Sequence, residues 1–237
     1  MKKHITHSAQ PPRRNFLKNG LIIALSGAAG SGLFGCETND ESEGQEVSPP
    51  EDLMQEHGIL NRILLIYDTC QIRLSAKTDL SRETLGSAAN IIRTFIEDYH
   101  EKQEEQYLFP RFRKAGQLTG LVNVLLQQHK VGRQITDRIL QLTKSQTANE
   151  AESRELIGLL NNFNAMYRPH EAREDTVLFP AFRKIVSRHE YDSLGEEFEK
   201  NEHKLFGDDG FETMVGKVAA IEKSLGIYDL AQFTPEV

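Results

Sequence analysis

The sequence has 237 residues, of which 38% are hydrophobic and 27% charged, and its formal net charge is −7. That length allows one well-cored domain with appendages, and the composition is that of an ordinary globular protein. The first 36 residues hold five basic residues and no acid, which leaves 23 basic and 35 acidic residues, a net charge of −12, in the rest. Phosphate backbones would repel so acidic a protein segment, and we therefore expect no nucleic-acid partner.

The N-terminal segment, residues 1–36, is predicted to be an export signal. The stretch "RRNFLK" (residues 13–18) precedes an apolar run, residues 21–35, that is shorter than a membrane-spanning helix. This pattern resembles a twin-arginine export signal, and "LFGC", which ends at Cys36, resembles a lipoprotein processing box. We therefore expect a periplasmic or other cell-envelope protein that contacts the membrane only through a lipid anchor on Cys36. An ordinary export signal or an uncleaved anchor is the alternative.

Helices are predicted for nearly all of the chain that follows. Residues 37–50 are acidic, have little to bury and read as a flexible linker. Within residues 51–187, four segments repeat apolar residues at three- and four-residue steps, which predicts an all-α, up-down-up-down four-helix bundle. Pro110 and Pro180 should kink or end the second and fourth helices. Residues 188–237 are predicted to add more polar helices outside the bundle.

One motif occurs twice within the predicted bundle. "HEKQEEQYLFPRFRKAG" begins at His100 and "HEAREDTVLFPAFRKIV" at His170, with nine of seventeen aligned positions identical. The two motifs are therefore 70 residues apart, and the preceding histidines, His57 and His129, are 72 residues apart. The chain looks like a duplicated helix pair, whose halves would be related by a pseudo-twofold axis.

Each predicted bundle helix has one histidine on its apolar face. A single such histidine is usually a hydrogen-bonded core residue, but four buried imidazoles require compensating partners. Glu104 and Glu174 follow two of the histidines by one helical turn on the same face, whereas Glu105 and Asp175 should be rotated well away. Four imidazoles and two bridging carboxylates predict a dinuclear metal site, for which iron or manganese is suited and zinc is a further option. The predicted ligands are His57, His100, Glu104, His129, His170 and Glu174.

Together, "EH" at residues 56–57, "QQH" at residues 127–129 and the two longer motifs resemble the hemerythrin-like (HHE cation-binding) domain over about residues 51–187. The resemblance implies a four-helix bundle with a non-heme di-iron centre, and the six predicted ligands match the family's ligand positions. Oxygen-carrying members have a second histidine on the third helix, where this chain has Arg133. Their last carboxylate would fall on Asp175, which is therefore a substitute ligand candidate.

With only two imidazoles per iron, we expect open positions that favour reaction with O2, peroxide or nitric oxide over stable O2 storage. A ligand-binding, sensing or redox-protective protein fits this better than a dedicated enzyme; the electron donor is not predicted. The alternatives are a di-iron enzyme (a peroxidase, an oxidase, or a nitric-oxide or iron-cluster stress protein) and a structural or sensory bundle held together by zinc. Ferritin-like proteins are disfavoured because their motif is Glu-x-x-His. Four further side chains could complete the metal shell, although core or surface roles are more usual for them: Tyr99, Tyr107, Tyr167 and His203.

Overall fold

The structure is a computed structural model that describes residues 48–144 and 149–236. The predicted export signal, the processing box and most of the predicted linker lie outside the described residues. The described ranges form helices and contain no β-strand. Their bounds are α1 (Pro49–Ala76), α2 (Arg82–Ile91), π1 (Ile92–His100), α3 (Glu101–Gln103), π2 (Glu104–Leu108), α4 (Phe109–Ala115), α5 (Thr119–Thr143), α6 (Glu150–Arg173), π3 (Glu174–Leu178), α7 (Phe179–Ile185), α8 (Arg188–Phe206), α9 (Gly210–Ser224) and a 3-10 turn (Leu230–Phe233).

The helices begin where the sequence supplies capping groups. The backbone N–H of Ser48 donates to the Glu51 carboxylate at 2.9 Å, and the next residue, Pro49, tolerates the first helical position because it has no N–H to satisfy. At α6 the Asn149 side-chain oxygen accepts from the backbone N–H of Glu152 at 2.9 Å and so caps the start of the helix. These caps satisfy backbone groups that have no partner inside the helix.

Four long helices form the predicted bundle. The first is α1, the second is the continuous series from α2 to α4, the third is α5, and the fourth is the continuous series from α6 to α7. In space α1 packs against the fourth helix, the fourth against α5, α5 against the second, and the second against α1. Neighbours along the chain are thus neighbours in space, and the prediction of a four-helix bundle is confirmed.

The second and fourth bundle helices change from α to π geometry in the repeated motifs. The amide of Phe109 bonds to the carbonyl of Glu104, and that of Phe179 to the carbonyl of Glu174, five residues back in each case. Pro110 lies at the start of α4 and the helix continues to Ala115. Pro110 and Pro180 therefore do not end their helices, because each lies in the first turn of the α segment that follows π2 or π3.

Two apolar clusters fill the bundle, one toward each end. The larger cluster includes Tyr67, Phe95 and Phe163, and it also holds Cys70, which is free and fully buried. The smaller cluster contains both Leu-Phe pairs of the repeated motif, and within it the rings of Phe112 and Phe182 lie 6.0 Å apart. The Leu-Phe-Pro repeat therefore supplies matched apolar side chains from two helices to one end of the core.

The two C-terminal helices, α8 and α9, pack against each other and mainly against the first half of the bundle, although Tyr191 of α8 also contacts Phe182 of α7. Both contact α1, and α9 also contacts α2. The ring of Phe206 meets those of Phe95 and Tyr99 at centroid distances of 5.5 and 5.3 Å. These are the additional helices that the sequence predicted. No helix within the described ranges combines the length and the apolar character that crossing a bilayer requires.

Candidate metal centre

The structure brings together all six predicted ligand side chains, in the interior of the bundle. Every one of them is at most 4% exposed. The Oε2 atom of Glu104 lies 3.8 Å from His100 Nε2 and 3.5 Å from His129 Nε2. The Oε2 atom of Glu174 lies 3.5 Å from His57 Nε2 and 3.1 Å from His170 Nε2. Each glutamate thus stands between a histidine of one half of the bundle and a histidine of the other.

The donor atoms form two overlapping groups that are small enough to hold cations. In the His57–His100 group, donor atoms of these two histidines and Glu104 all lie within 4.8 Å of one another. In the His129–His170 group, these two histidines join Glu104 and Glu174 within the same limit. Glu104 belongs to both groups, and Glu174 approaches both, which is the arrangement expected of carboxylates that bridge two metals.

Several inward atoms lack the partners that burial demands. Among the described residues, none donates a well-formed hydrogen bond to any of the four carboxylate oxygens of Glu104 and Glu174, and His57 Nε2 is likewise without one. A buried polar group without a partner costs about 1–3 kcal/mol, and more when it is charged. Cations coordinated by these atoms would satisfy all of them at once. The donor set therefore fits a metal centre.

Charge repulsion between the buried carboxylates also favours bound cations at the centre. Burial, together with the facing Glu174 carboxylate, raises the pKa of Glu104 well above its usual value. Burial alone would lower the pKa of His57, but contacts with the Asp175 and Glu174 carboxylates outweigh it and raise that pKa to about 10. Bound cations would replace the protons that these groups otherwise share.

The outer nitrogen, Nδ1, of each of the four buried histidines donates to an acceptor on a neighbouring helix. His57 Nδ1 donates to Asp175 Oδ1 at 2.7 Å, and His129 Nδ1 donates to Glu105 Oε1 at 3.2 Å. His100 Nδ1 lies 2.8 Å from a Glu56 carboxylate oxygen, and His170 Nδ1 lies 2.9 Å from the Gln128 amide oxygen. Because these oxygens accept, each Nδ1 has a proton, and each Nε2 would offer its lone pair to a cation that displaced any second proton. The corresponding partners in the two halves are Glu56 and Gln128, and Asp175 and Glu105.

Glu105 and Asp175 belong to neither inward donor group, and each accepts instead from the outer nitrogen of a histidine on a neighbouring helix. The backbone has π geometry from the glutamate that precedes each of them. Burial raises the pKa of Glu105, but hydrogen bonds from His129, Lys102 and Arg133 outweigh it and lower that pKa to about 2. Glu105 is therefore an anionic acceptor for His129.

Arg133 and Tyr167 extend the polar contacts beyond the histidines. Arg133 Nη2 lies 2.6 Å from Glu101 Oε2 and 2.7 Å from Glu105 Oε1. The Tyr167 hydroxyl donates to Glu101 Oε1 at 2.7 Å, and its ring centroid is 5.3 Å from that of His170. At the position where oxygen-carrying members have a second histidine, this chain thus has Arg133, whose guanidinium holds the Glu101 and Glu105 carboxylates beside His129.

Other predicted contributors lie away from the centre. Tyr99 packs on Phe95 and Phe206, and the Tyr107 hydroxyl contacts Glu197 at 3.4 Å. His203 is on α8, and its nearest carboxylate is that of Asp208 at 3.9 Å. Of these candidates, Tyr167 has its ring beside one of the predicted ligands, His170.

The side chains that orient the histidines were not predicted from the sequence. Glu56 and Gln128 directly precede His57 and His129 in the chain, so the recurring acceptor-histidine pair was the available signal. The rings of Phe179 and Phe109 stack on His57 and His129, each with centroids 5.6 Å apart. The phenylalanine of each Leu-Phe-Pro repeat thus covers a histidine as well as filling the core.

Comparisons with known proteins agree with this geometry. The profile of the Hemerythrin HHE cation binding domain matches residues 48–182. The chain is 48% identical over 219 residues to the uncharacterized proteins Mb2018 of Mycobacterium bovis and Rv1995 of Mycobacterium tuberculosis, covering 90% of this chain and 86% of each relative. No solved structure matches the chain. With more than half of its length matched by the family profile, and with histidine and glutamate groups suited to cations in its interior, the chain belongs to the hemerythrin HHE cation-binding family.

Proposed function

We propose that the six converging side chains hold a dinuclear non-heme iron centre, and that this centre interacts with O2, peroxide or nitric oxide. The observation that carries the proposal is the pair of buried carboxylates, Glu104 and Glu174, each placed between imidazole nitrogens of both halves without a hydrogen-bond donor among the described residues. Mixed imidazole and carboxylate donors suit iron, and suit manganese or zinc less specifically. The proposed ligands are His57, His100, Glu104, His129, His170 and Glu174.

The protein's own residues have definable roles around such a centre. The acceptors at Nδ1 fix the orientation of each imidazole and increase its basicity. Phe109 and Phe179 cover two of the rings and exclude water from them. Tyr167, Glu101 and Arg133 form a hydrogen-bonded and ionic network that can hold a proton next to His129 and His170. When bound, two irons would supply one-electron redox chemistry and positions for small ligands.

The first test is metal analysis of the protein purified after growth with iron. We expect about two irons per chain and an optical spectrum of ferric iron with carboxylate and histidine ligands. His129→Ala should lose at least one of the metals. His203→Ala, a histidine outside both donor groups, should retain the wild-type content. A protein that contains no iron under these conditions would contradict the proposal.

The second test separates redox function from a structural role for the metal. Stopped-flow mixing of the reduced iron protein with O2 should give oxidation without a stable, reversible oxygenated state. Turnover with added reductant and peroxide would identify an enzyme, whereas single oxidation without turnover would identify a binding or sensing protein. A colourless protein that contains zinc, and whose thermal stability alone depends on it, would favour the structural alternative.

We also propose that the chain is exported through its N-terminal 36 residues and anchored by a lipid at Cys36. The support is the paired arginines, the short apolar run and the processing-box pattern in the sequence. Cell fractionation should find the wild-type protein in the envelope, and the double substitution Arg13→Lys with Arg14→Lys in the cytoplasm. Cys36→Ala should abolish incorporation of labelled fatty acid. An unprocessed, cytoplasmic wild-type protein would contradict export.

A further inference from the structure

Because the two halves of the bundle repeat, each residue near one donor group has an equivalent residue near the other. Residues of α1 correspond to residues of α5 72 positions later, as His57 does to His129. Residues of the second bundle helix correspond to those of the fourth 70 positions later, as His100 does to His170. Asp52 therefore corresponds to Val124. The two flanks of the centre can be compared directly.

The flank beside His100 is covered by the C-terminal helices. The Glu202 carboxylate, on α8, lies within 4.8 Å of the carboxylates of Asp52 and Glu56, and Phe206 packs on Tyr99. As a result Asp52 is only 3% exposed and Tyr99 only 2%. A ligand approaching from this side would have to displace α8.

The flank beside His170 has no such cover among the described helices. Val124, the counterpart of Asp52, is 53% exposed, and a surface cleft of about 280 Å³ opens between α5 and α6. The lining includes the hydrogen-bonded pair of Gln128 and His170, and His170 is only 4% exposed. The walls are mainly apolar, with one guanidinium group, and the full lining is Gly120, Leu121, Val124, Leu125, Gln128, Pro169, His170 and Arg173.

The partner of His170 also differs from those of the other three histidines. His57, His100 and His129 donate to the carboxylates of Asp175, Glu56 and Glu105. His170 donates to the neutral amide of Gln128. A carboxylate partner makes an imidazole a stronger electron donor than an amide partner does. A metal held by His170 would therefore receive less electron density from its imidazole and would accept an added small ligand more readily.

We propose that small ligands enter through the cleft between α5 and α6 and bind at the His129–His170 group, while the His57–His100 group is sealed by α8. This proposal rests on the dinuclear centre proposed above. An apolar entrance with one guanidinium admits small neutral molecules and small monoanions, and it disfavours cations. Gln128 and His170 form the last barrier, and a slight displacement of the amide opens the path.

The test measures azide binding to the iron-loaded full-length protein by stopped-flow absorbance. Val124→Trp places a bulky side chain at the mouth of the cleft, and Leu121→Trp serves as a second variant at the same mouth. Ile72→Trp is the matched control, since Ile72 is an apolar residue of α1 that is 69% exposed and does not line the cleft. We expect the cleft variants to slow azide binding about tenfold, equivalent to a barrier higher by about 1.4 kcal/mol. Iron content and spectrum should be unchanged. Equal rates in cleft and control variants would overturn the proposal.

A second arm uses metal-free protein, so that its outcome does not depend on iron. Diethyl pyrocarbonate acylates accessible imidazoles, and mass spectrometry locates the modified residues. We expect His170 to react faster than His100, and Val124→Trp to slow only the reaction of His170. Faster reaction at His100 would overturn one-sided access. If the wild-type protein binds no iron but His170 still reacts first, the proposed iron centre is contradicted. The inference that solvent reaches the interior from the His170 side is then still supported.

Discussion

The four histidines that we propose as ligands are each fixed at Nδ1 by an acceptor on a neighbouring helix, so their Nε2 atoms converge before any metal binds. Three of those acceptors are carboxylates and the fourth is an amide. Such pre-orientation lowers the entropy cost of assembling the site, because the rings cannot rotate away from the centre. Glu105 is the most instructive acceptor, since Arg133 and Lys102 hold it in turn.

Glu105→Gln removes the negative charge next to His129 and leaves an acceptor oxygen in place. We expect metal affinity to fall by about tenfold, the lower end of the range for losing an outer partner of a metal ligand. Competition with a chromophoric chelator measures the affinity. Glu155→Gln, at a glutamate that pairs with Arg138 on the surface, is the control and should not change it. Equal affinities in both variants would show that the charge at Glu105 has no part in metal binding.

Glu97 should make stability depend on pH. Burial raises its pKa to about 7, although Thr136 donates to it and Arg93 pairs with it. Its contribution is therefore fully present below the unfolded pKa of about 4.5, and it is lost as the pH rises through 7. The difference amounts to about 3 kcal/mol.

Urea unfolding of metal-free wild type and Glu97→Gln at several pH values tests this. Glutamine keeps an oxygen for Thr136 but does not ionise. The free energy of unfolding of the variant, relative to wild type, should increase between pH 5 and pH 8. A relative stability that does not change over this interval would mean that Glu97 is ionised throughout.

At the scale of the elements, the α-to-π changes and the close crossing of α5 and α6 determine the geometry of the site. Gly132 on α5 faces Tyr167 on α6, and a Cβ at Gly132 would overlap the tyrosine hydroxyl and lie 2.8 Å from its Cζ. The absence of a side chain at this position lets Tyr167 reach Glu101. Gly132 thus has a packing role that the helical pattern of the sequence could not reveal.

Gly132→Ala should destabilise the protein by about 1–3 kcal/mol, because α5 and α6 must move apart or Tyr167 must leave its position. Gly158→Ala is the matched control on α6, where an added Cβ meets nothing within 4 Å. That substitution should stabilise by about 0.5–1 kcal/mol, since alanine is the better helix former. Thermal and denaturant unfolding measure both, and a neutral Gly132→Ala would contradict the proposed close packing.

The sequence predicted the bundle because apolar residues recur with helical period on four segments, and that signal depends only on local geometry. It likewise brought His57, His100 and the two glutamates onto inward faces, as the structure shows. It could not predict the π turns, since a change from four- to five-residue bonding depends on tertiary contacts. The contacts of Glu105 and Asp175 with the outer histidine nitrogens are tertiary contacts too, so the sequence did not predict them.

At the scale of the whole molecule, α8 and α9 make the two halves of a duplicated bundle unequal. They cover α1 and α2, and a charged pair joins α9 to α1: Arg62 Nε and Nη2 donate to the two Glu222 oxygens at 2.8 and 2.6 Å. The side chain of Glu222 is only 7% exposed. The C-terminal helices are thus part of the core rather than an appended segment.

Arg62→Ala should leave the Glu222 carboxylate buried without its guanidinium partner and destabilise the protein by about 1–3 kcal/mol. Arg154→Ala, which removes a pair exposed on both sides, should have an effect of less than about 1 kcal/mol. Restoring stability with Glu222→Gln in the Arg62→Ala background would confirm that the unpaired charge is the cause. Equal effects of the two arginine substitutions would contradict it.

Chemical labelling of Cys70 reports how often the protein opens. It is fully enclosed, and burial raises the pKa of its thiol to about 12, so a thiol reagent cannot attack it in the closed bundle. Because the sequence has only one other cysteine, Cys36→Ser leaves a single reporter. The rate at which a thiol reagent labels Cys70 then measures how often the larger apolar cluster opens, in protein with and without metal. The native Cys70 thiol itself is the probe.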